Sequence, residues 1–150
     1  MDCVEGGASV SFMAPFTIDT GEAFFEGVLR SVERGDRILL AAFVEERVVG
    51  TVQLVIALPP NQPHRGEVAK LLVHRCARGQ GVAARLMEQL EQAAREHGKT
   101  LLTLDTVTGS NAERLYKRRG WTSAGVIPNY ALFPDGRPCD TTIFWKETSR

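Results

Sequence analysis

Arg78-Gly79-Gln80-Gly81-Val82-Ala83 lies between an apolar run, Val68 to Val73, and an amphipathic run, Val82 to His97. The order reads as strand, glycine-rich turn, helix. That layout aims bare backbone N–H groups at a phosphate. Glycine lets the backbone approach a ligand closely, and the helix start adds a partial positive charge. Arg78 at the mouth can add a forked, charge-assisted contact. A short G-x-G is a weak signal alone, because many strand-to-helix turns carry glycine for geometry. The stretch lacks the Lys-Ser/Thr tail of a P-loop and the third glycine of a dinucleotide fingerprint.

Working outward, Glu67 to Val73 reads as a strand, with Glu67, Ala69, Leu71 and Val73 on one face and Val68, Lys70 and Leu72 on the other. Before it, Ile38 to Val44 and Val48 to Leu58 form a hairpin, closed off by the proline-rich loop Pro59 to Pro63. A helix with Phe24, Phe25, Val28, Leu29 and Val32 at helical spacing precedes the hairpin, and Asp19 with Glu22 resembles a capping box at its start. Residues 1 to 15 read as irregular.

Past the turn, Val82, Leu86, Leu90, Ala93 and Ala94 form the apolar stripe of a helix that Gly98 ends. Thr100 to Thr106 is a strand and Asn111 to Arg118 a short helix. Trp121 to Leu132 is strand-like but limited by Pro128. Pro134-Asp135-Gly136-Arg137 makes a hairpin turn, and Thr141 to Lys146 is the last strand. This order gives an α+β fold in three layers: one domain over residues 1–150, with a mixed, mostly antiparallel sheet flanked by helices.

Lys and Arg number 18, as do Asp and Glu, so no bulk electrostatic partner such as a nucleic acid or an anionic membrane is implied. No apolar run reaches the ~20 residues of a membrane-spanning helix. The cysteines Cys3, Cys76 and Cys139 are odd in number and widely spaced, which points to a reducing, cytoplasmic setting rather than a disulfide framework. No His/Cys spacing suggests a metal site.

Leu71 through Leu86 resembles the acetyl-CoA-binding motif of the Gcn5-related N-acetyltransferases (the GNAT superfamily), whose core Q/R-x-x-G-x-G/A is filled by Arg78, Gly81 and Ala83. Further on, Ala112 to Trp121 resembles the family's second landmark, a short helix ending in Leu-Tyr before a Gly-aromatic pair. The resemblance runs from about Ile38 to Lys146. Within the superfamily it is most similar to the small-molecule branch that includes tabtoxin-resistance acetyltransferases. That likeness rests on Glu67 to Val73, on Leu104-Asp105-Thr106 and on the Pro-Asp-Gly hairpin.

The resemblance implies an acyl-CoA N-acyltransferase fold with acetyl-CoA as co-substrate and no metal. Backbone N–H groups of Arg78, Gly79, Gln80, Gly81, Val82, Ala83 and Ala84 would hold the pyrophosphate. Leu72 and Val73 would pair with the pantetheine arm, and their amides could polarise the thioester carbonyl. Tyr116 stands where the family places a proton donor for the departing thiolate. A thiol of pKa ~8.5 and a phenol of pKa ~10 are nearly matched. Without that role, Tyr116 is an aromatic packed by Leu115 and Trp121. The acceptor amine needs a base, for which Glu67 is the first candidate and Asp105 the second. Either could instead hold the substrate's ammonium, or serve as a solvated strand end and a turn former. Lys70, mid-strand, reaches solvent or pairs with an acid. His64 and His74 read as surface residues and Cys76 as inert.

Two departures stand out. Gly109 occupies the place where many members carry an asparagine that contacts the CoA arm, a contact that Ser110 or Asn111 could supply. No strand pattern precedes Phe16, and Asp2 to Ser9 reads as the tail of a first helix. The expectation is a domain lacking its first strand and most of a helix, with an open sheet edge that a homodimer could cover. The leading function is acetyl transfer to a primary amine of a small molecule by direct attack. The alternative is a CoA-binding sensor or interaction module without catalysis.

Overall fold

The computed structural model describes residues 1–148. One helical turn, α1 (Asp2–Glu5), and a loop lead into α2 (Ile18–Glu33). The hairpin β1 (Arg37–Val44) and β2 (Arg47–Val55) follows, then β3 (Arg65–Val73), a 3-10 turn (Arg75–Ala77) and α3 (Val82–Glu96). The chain continues through β4 (Leu101–Val107), α4 (Asn111–Arg118), β5 (Thr122–Leu132) and β6 (Pro138–Glu147). The cap of α2 is Thr17, whose hydroxyl accepts the Thr20 N–H at 3.2 Å, and not the Asp19–Glu22 pair. Threonine needs only a β-region backbone and one free N–H to cap, and Thr17 has both one residue before the helix begins.

The six strands run in the order β1-β2-β3-β4-β6-β5, and every neighbouring pair is antiparallel except β3 with β4. This is the expected mixed, mostly antiparallel sheet. No strand precedes β1 among the described residues, so β1 forms one edge. No helix among them is long and apolar enough to cross a membrane.

Gly50, Val52 and Leu54 of β2 face α3, with Val68 of β3, Leu102 and Leu104 of β4 and Phe144 of β6 alongside them. They pack on Leu86, Leu90 and Ala94 of the stripe predicted from the helical period, and on Met87, which that stripe did not include. A Cβ on Gly66 would stand 2.8 Å from Leu54 Cδ1 and 3.0 Å from Leu102 Cδ2. Leu54 and Leu102 are both fully buried and have little room to retreat. Gly66→Ala is therefore expected to cost about 1–3 kcal/mol by overpacking, read as a lower midpoint in urea unfolding.

Two irregularities escape the period-2 reading. In β5 the strand runs through Pro128, because a bulge between Ile127 and Ala131 removes that proline from the ladder. In β3, Thr51 pairs with Leu72 and Gln53 with Ala69, so Lys70 and Leu71 together oppose Val52. Lys70 adopts φ 52°, in the left-handed region. The extra residue corrects the predicted faces: Val73 crosses to the Gly50 side, while Leu72 joins the face of Glu67.

The position of the site follows from β3 and β4. They pair only over Arg65↔Leu101, Gly66↔Leu102 and Glu67↔Thr103. Beyond these pairs the strands part, leaving the β4 side of the Leu72 and Val73 backbone without a ladder partner.

Candidate active site

The turn after β3 is built to receive an anion. Gly79 and Gly81 have φ of 75° and 78°, conformations open to glycine at little cost. Gly81 is the N-cap of α3, and no side chain caps the helix. The Gln80 side chain donates to the Cys76 carbonyl at 2.9 Å, bracing the turn. Among the described residues, the first N–H after the turn with a backbone acceptor is that of Arg85, bonded to Gly81 O at 3.1 Å. The N–H groups from Gly79 through Ala84 have no protein partner. They form a row of unused donors where a helix dipole adds positive potential.

Arg78 is turned back across the end of β3. Its Nε donates to Val73 O at 3.0 Å, and its Nη2 lies 3.5 Å from Asp2 Oδ2. Asp2 also accepts the Arg75 N–H at 3.0 Å and pairs with the Arg75 guanidinium. Together these contacts tie α1 to the turn. His74 is exposed and caps the 3-10 turn, and its Nδ1 sits 2.9 Å from Cys76 Sγ. Only the fold reveals that contact, since two loop residues in i, i+2 relation carry no signal in sequence. A cavity of about 260 Å³ adjoins Leu72, lined also by Phe12, Phe16, Phe25 and Thr51.

Tyr116 is more deeply placed than a half-buried aromatic. It is 5% exposed, with ring centroids 5.9 Å from Trp121 and 6.0 Å from Phe144. Burial, reinforced by the charge of Asp105, holds its phenol well above the ordinary range. Asp105 faces away from α3, on the opposite side of the sheet from Leu104 and at the gap between β3 and β4.

Glu67 shares Asp105's side. Its Oε2 lies 3.3 Å from Arg65 Nη1, which also donates to Thr103 Oγ1 at 2.7 Å. Partial burial pushes the Asp105 carboxyl upward, the Glu67 charge pushes the same way, and Lys70 opposes them. The two acids named from sequence thus come together across the gap.

Asn111 lies on the exposed side of α4, with its side-chain oxygen taken by Arg114. Ser110 caps α4 by accepting the Glu113 N–H at 3.1 Å, and Glu113 in turn accepts the Gly109 N–H. Both candidates for the missing asparagine contact are thus engaged within the helix start. Lys70 neither reaches an open edge nor pairs with an acid. Its ammonium donates to Ser11 Oγ at 2.9 Å and rests against Phe12 and Phe24. The sequence signal for Lys70 was a lone charge inside an apolar strand. Among the described residues no cluster of His, Cys, Asp and Glu could hold a metal ion.

The arrangement is an anion cradle at the mouth of a gap between two splayed strands, with acids on one side and a buried phenol on the other. Comparison with known proteins gives a consistent identity. The acetyltransferase (GNAT) family matches residues 8–121. An uncharacterized N-acetyltransferase from the hisH-hisA intergenic region of Azospirillum brasilense is 30% identical over 125 residues, covering 82% of this chain and 73% of that protein. Ribosomal-protein-alanine N-acetyltransferase from Brucella melitensis shares the fold at TM-score 0.81 and 24% identity, over 97% of this chain and 88% of its own. So does yncA from Salmonella typhimurium, solved with its cofactor acetyl-CoA, at TM-score 0.78 and 20% identity, over 99% and 83%. The chain belongs to the GNAT acetyltransferase family and is an acetyl-CoA-dependent N-acetyltransferase.

Proposed function

We propose that this chain, as one catalytic domain, moves acetyl from acetyl-CoA directly to a primary amine of a small molecule in a ternary complex, with no covalent enzyme intermediate. The observation that carries the reading is the gap itself, with unused N–H donors from Gly79 to Ala84 at one end and the facing acids Glu67 and Asp105 along it. The unpaired N–H row suits the pyrophosphate of CoA. The stretch of Leu72 and Val73 without a β4 ladder partner suits the pantetheine arm and the thioester carbonyl, with the Val73 carbonyl itself held by Arg78 Nε.

An alkyl ammonium of pKa ~10 must lose a proton before it attacks. Asp105, with its carboxyl pushed upward, is the better matched base, and Glu67, paired with Arg65, is the better holder of the ammonium. The amine lone pair then attacks the acetyl carbon. The C–S bond breaks, the nitrogen gives up its second proton to water to become the amide, and the thiolate takes a proton from Tyr116 or from water. Tyr116 holds its proton tightly, so donation to a free thiolate is uphill. A thiolate forming in the same desolvated gap also gains proton affinity, which narrows the mismatch.

A thiol-release assay over a panel of primary amines tests the reading. Asp105→Asn and Glu67→Gln are each expected to lower kcat about 100-fold, and Tyr116→Phe about 10-fold. Turnover unchanged in all three variants would remove these roles. Acetyl-CoA binding with no turnover on any amine would favour a CoA-binding module instead. The base must be deprotonated, so the rate should rise with pH through the elevated Asp105 pKa. That acidic limb, lying above the ordinary carboxylate range, should disappear in Asp105→Asn.

Phe43, Val44 and Val48 are exposed near the β1 edge, which we read as a surface a second copy would cover. A monomer at micromolar concentration in sedimentation would remove that reading.

A further inference from the structure

We propose that the acceptor cleft contains a carboxylate-binding subsite built on Lys70, so that the preferred acceptor is an amino acid held by its amine at Glu67 and Asp105 and by its carboxylate at Lys70. The inference rests on the acetyltransferase reading above and adds the class of acceptor. The first observation is backbone strain. Lys70 sits in a bulge of β3 at φ 52°, a conformation that strains a side-chain-bearing residue and persists where the surroundings impose it. The bulge turns the Lys70 side chain toward α2 and the loop before it.

The second observation is an excess of donors. The half-buried ammonium lies 5.6 Å from the Phe12 ring centroid and 5.8 Å from that of Phe24, a geometry that favours the charged form. It has three protons to donate and uses one, toward Ser11 Oγ. Among the described residues no carboxylate lies within 4.0 Å of Lys70 or of Arg37. Gln53, fully buried and opposite Ala69, accepts from Arg37 through its side-chain oxygen. Arg37 Nε and Gln53 Nε2 are buried without acceptors. Partial burial, with the Arg37 charge adding to it, holds the Lys70 ammonium below the ordinary lysine range, and Asp105 opposes that shift.

Lys70 and Arg37 are therefore rich in donors and short of anions, while Asp105 has no cation within 4.0 Å among the described residues and Glu67 is paired with Arg65. A free amine satisfies only the acids. A molecule carrying both an amine and a carboxylate satisfies both sides. Lys70 is thus assigned to specificity, and the acids and Tyr116 to the chemistry.

The experiment compares free L-amino acids with their own amides, which keep the amine and lose the anion. It uses thiol release with acetyl-CoA, and calorimetry of the same pairs in the presence of CoA. The wild-type chain is expected to favour the acid over the amide by about tenfold or more in kcat/KM, from loss of a charged hydrogen bond. Lys70→Met should erase that preference by raising KM for the acid while leaving KM for the amide within about twofold. Lys70→Arg should restore most of it. Equal use of acid and amide by the wild type would overturn the proposal. So would a loss in Lys70→Met that falls equally on both, the signature of a strut for the Ser11 loop. If no amine is acetylated, the reaction reading fails, and calorimetry still decides the subsite through the same acid-over-amide preference and its loss in Lys70→Met.

Discussion

Gly81→Val is expected to weaken acetyl-CoA binding about 100-fold in calorimetry, a loss of about 2.7 kcal/mol. Two effects act together. Gly81 has φ 78°, where a β-branched residue is strained by about 1–2 kcal/mol, so the N–H row after it loses its alignment. Nothing in the protein lies within 4 Å of a Cβ built there, so the new side chain projects into the open space that the row of donors faces. Gly79, at φ 75° and equally unobstructed, should behave similarly but more mildly, since it lies farther from the start of α3. Circular dichroism should show the sheet and helices intact. Unchanged affinity in a folded Gly81→Val variant would mean that the turn does not hold the cofactor.

Glu91→Ala is expected to cost about 3 kcal/mol of stability, or on the order of 10 °C in melting temperature for a chain of this size. Glu91 is 7% exposed, on the face of α3 that meets the last two strands. Its Oε1 accepts the Trp121 indole N–H at 3.1 Å, and its Oε2 accepts Lys146 Nζ at 2.9 Å. Removing the carboxylate leaves the Lys146 ammonium, the indole N–H and the Arg119 guanidinium, whose Nε lies 3.9 Å from Oε1, facing a cavity. Lys146 keeps its bond to Arg119 O at 2.8 Å and some contact with water, which holds the cost at the low end for a broken buried pair. Glu91→Gln, which keeps one acceptor oxygen but sets an amide NH2 against the other donor, should fall between. A melting temperature within about 2 °C of wild type in Glu91→Ala would refute the account.

Glu91 shows where local reading stops. It occupies a polar position on a helix whose apolar stripe is otherwise regular, and in sequence it resembles a solvated charge. Its burial depends on Trp121 and Lys146, which are 30 and 55 residues away. Asp105 is similar. The sequence offers it as one of two carboxylates at strand ends, but its raised affinity for a proton comes first from burial and then from Glu67 lying across a gap, neither of which periodicity encodes.

By itself the sequence determined the order of elements, the glycine turn between β3 and α3, the stripe that packs α3 on the sheet and the short capped helix carrying Tyr116. Each is set by local chemistry: left-handed φ at glycine, the 3.6-residue period, and serine capping. The tertiary structure decided three further things. It stopped the β3–β4 ladder after Glu67, which opens the gap. It inserted a bulge at Lys70, which reverses the faces of Leu72 and Val73 and turns a strand lysine into a caged cation. It buried Tyr116 under Trp121 and Phe144, which holds its proton. These outcomes depend on register and on desolvation by residues distant in the chain. A pattern along one strand carries neither, so the glycine turn and the two candidate acids were legible in the sequence, while their placement across the gap and the surroundings of Lys70 emerged only in the folded protein.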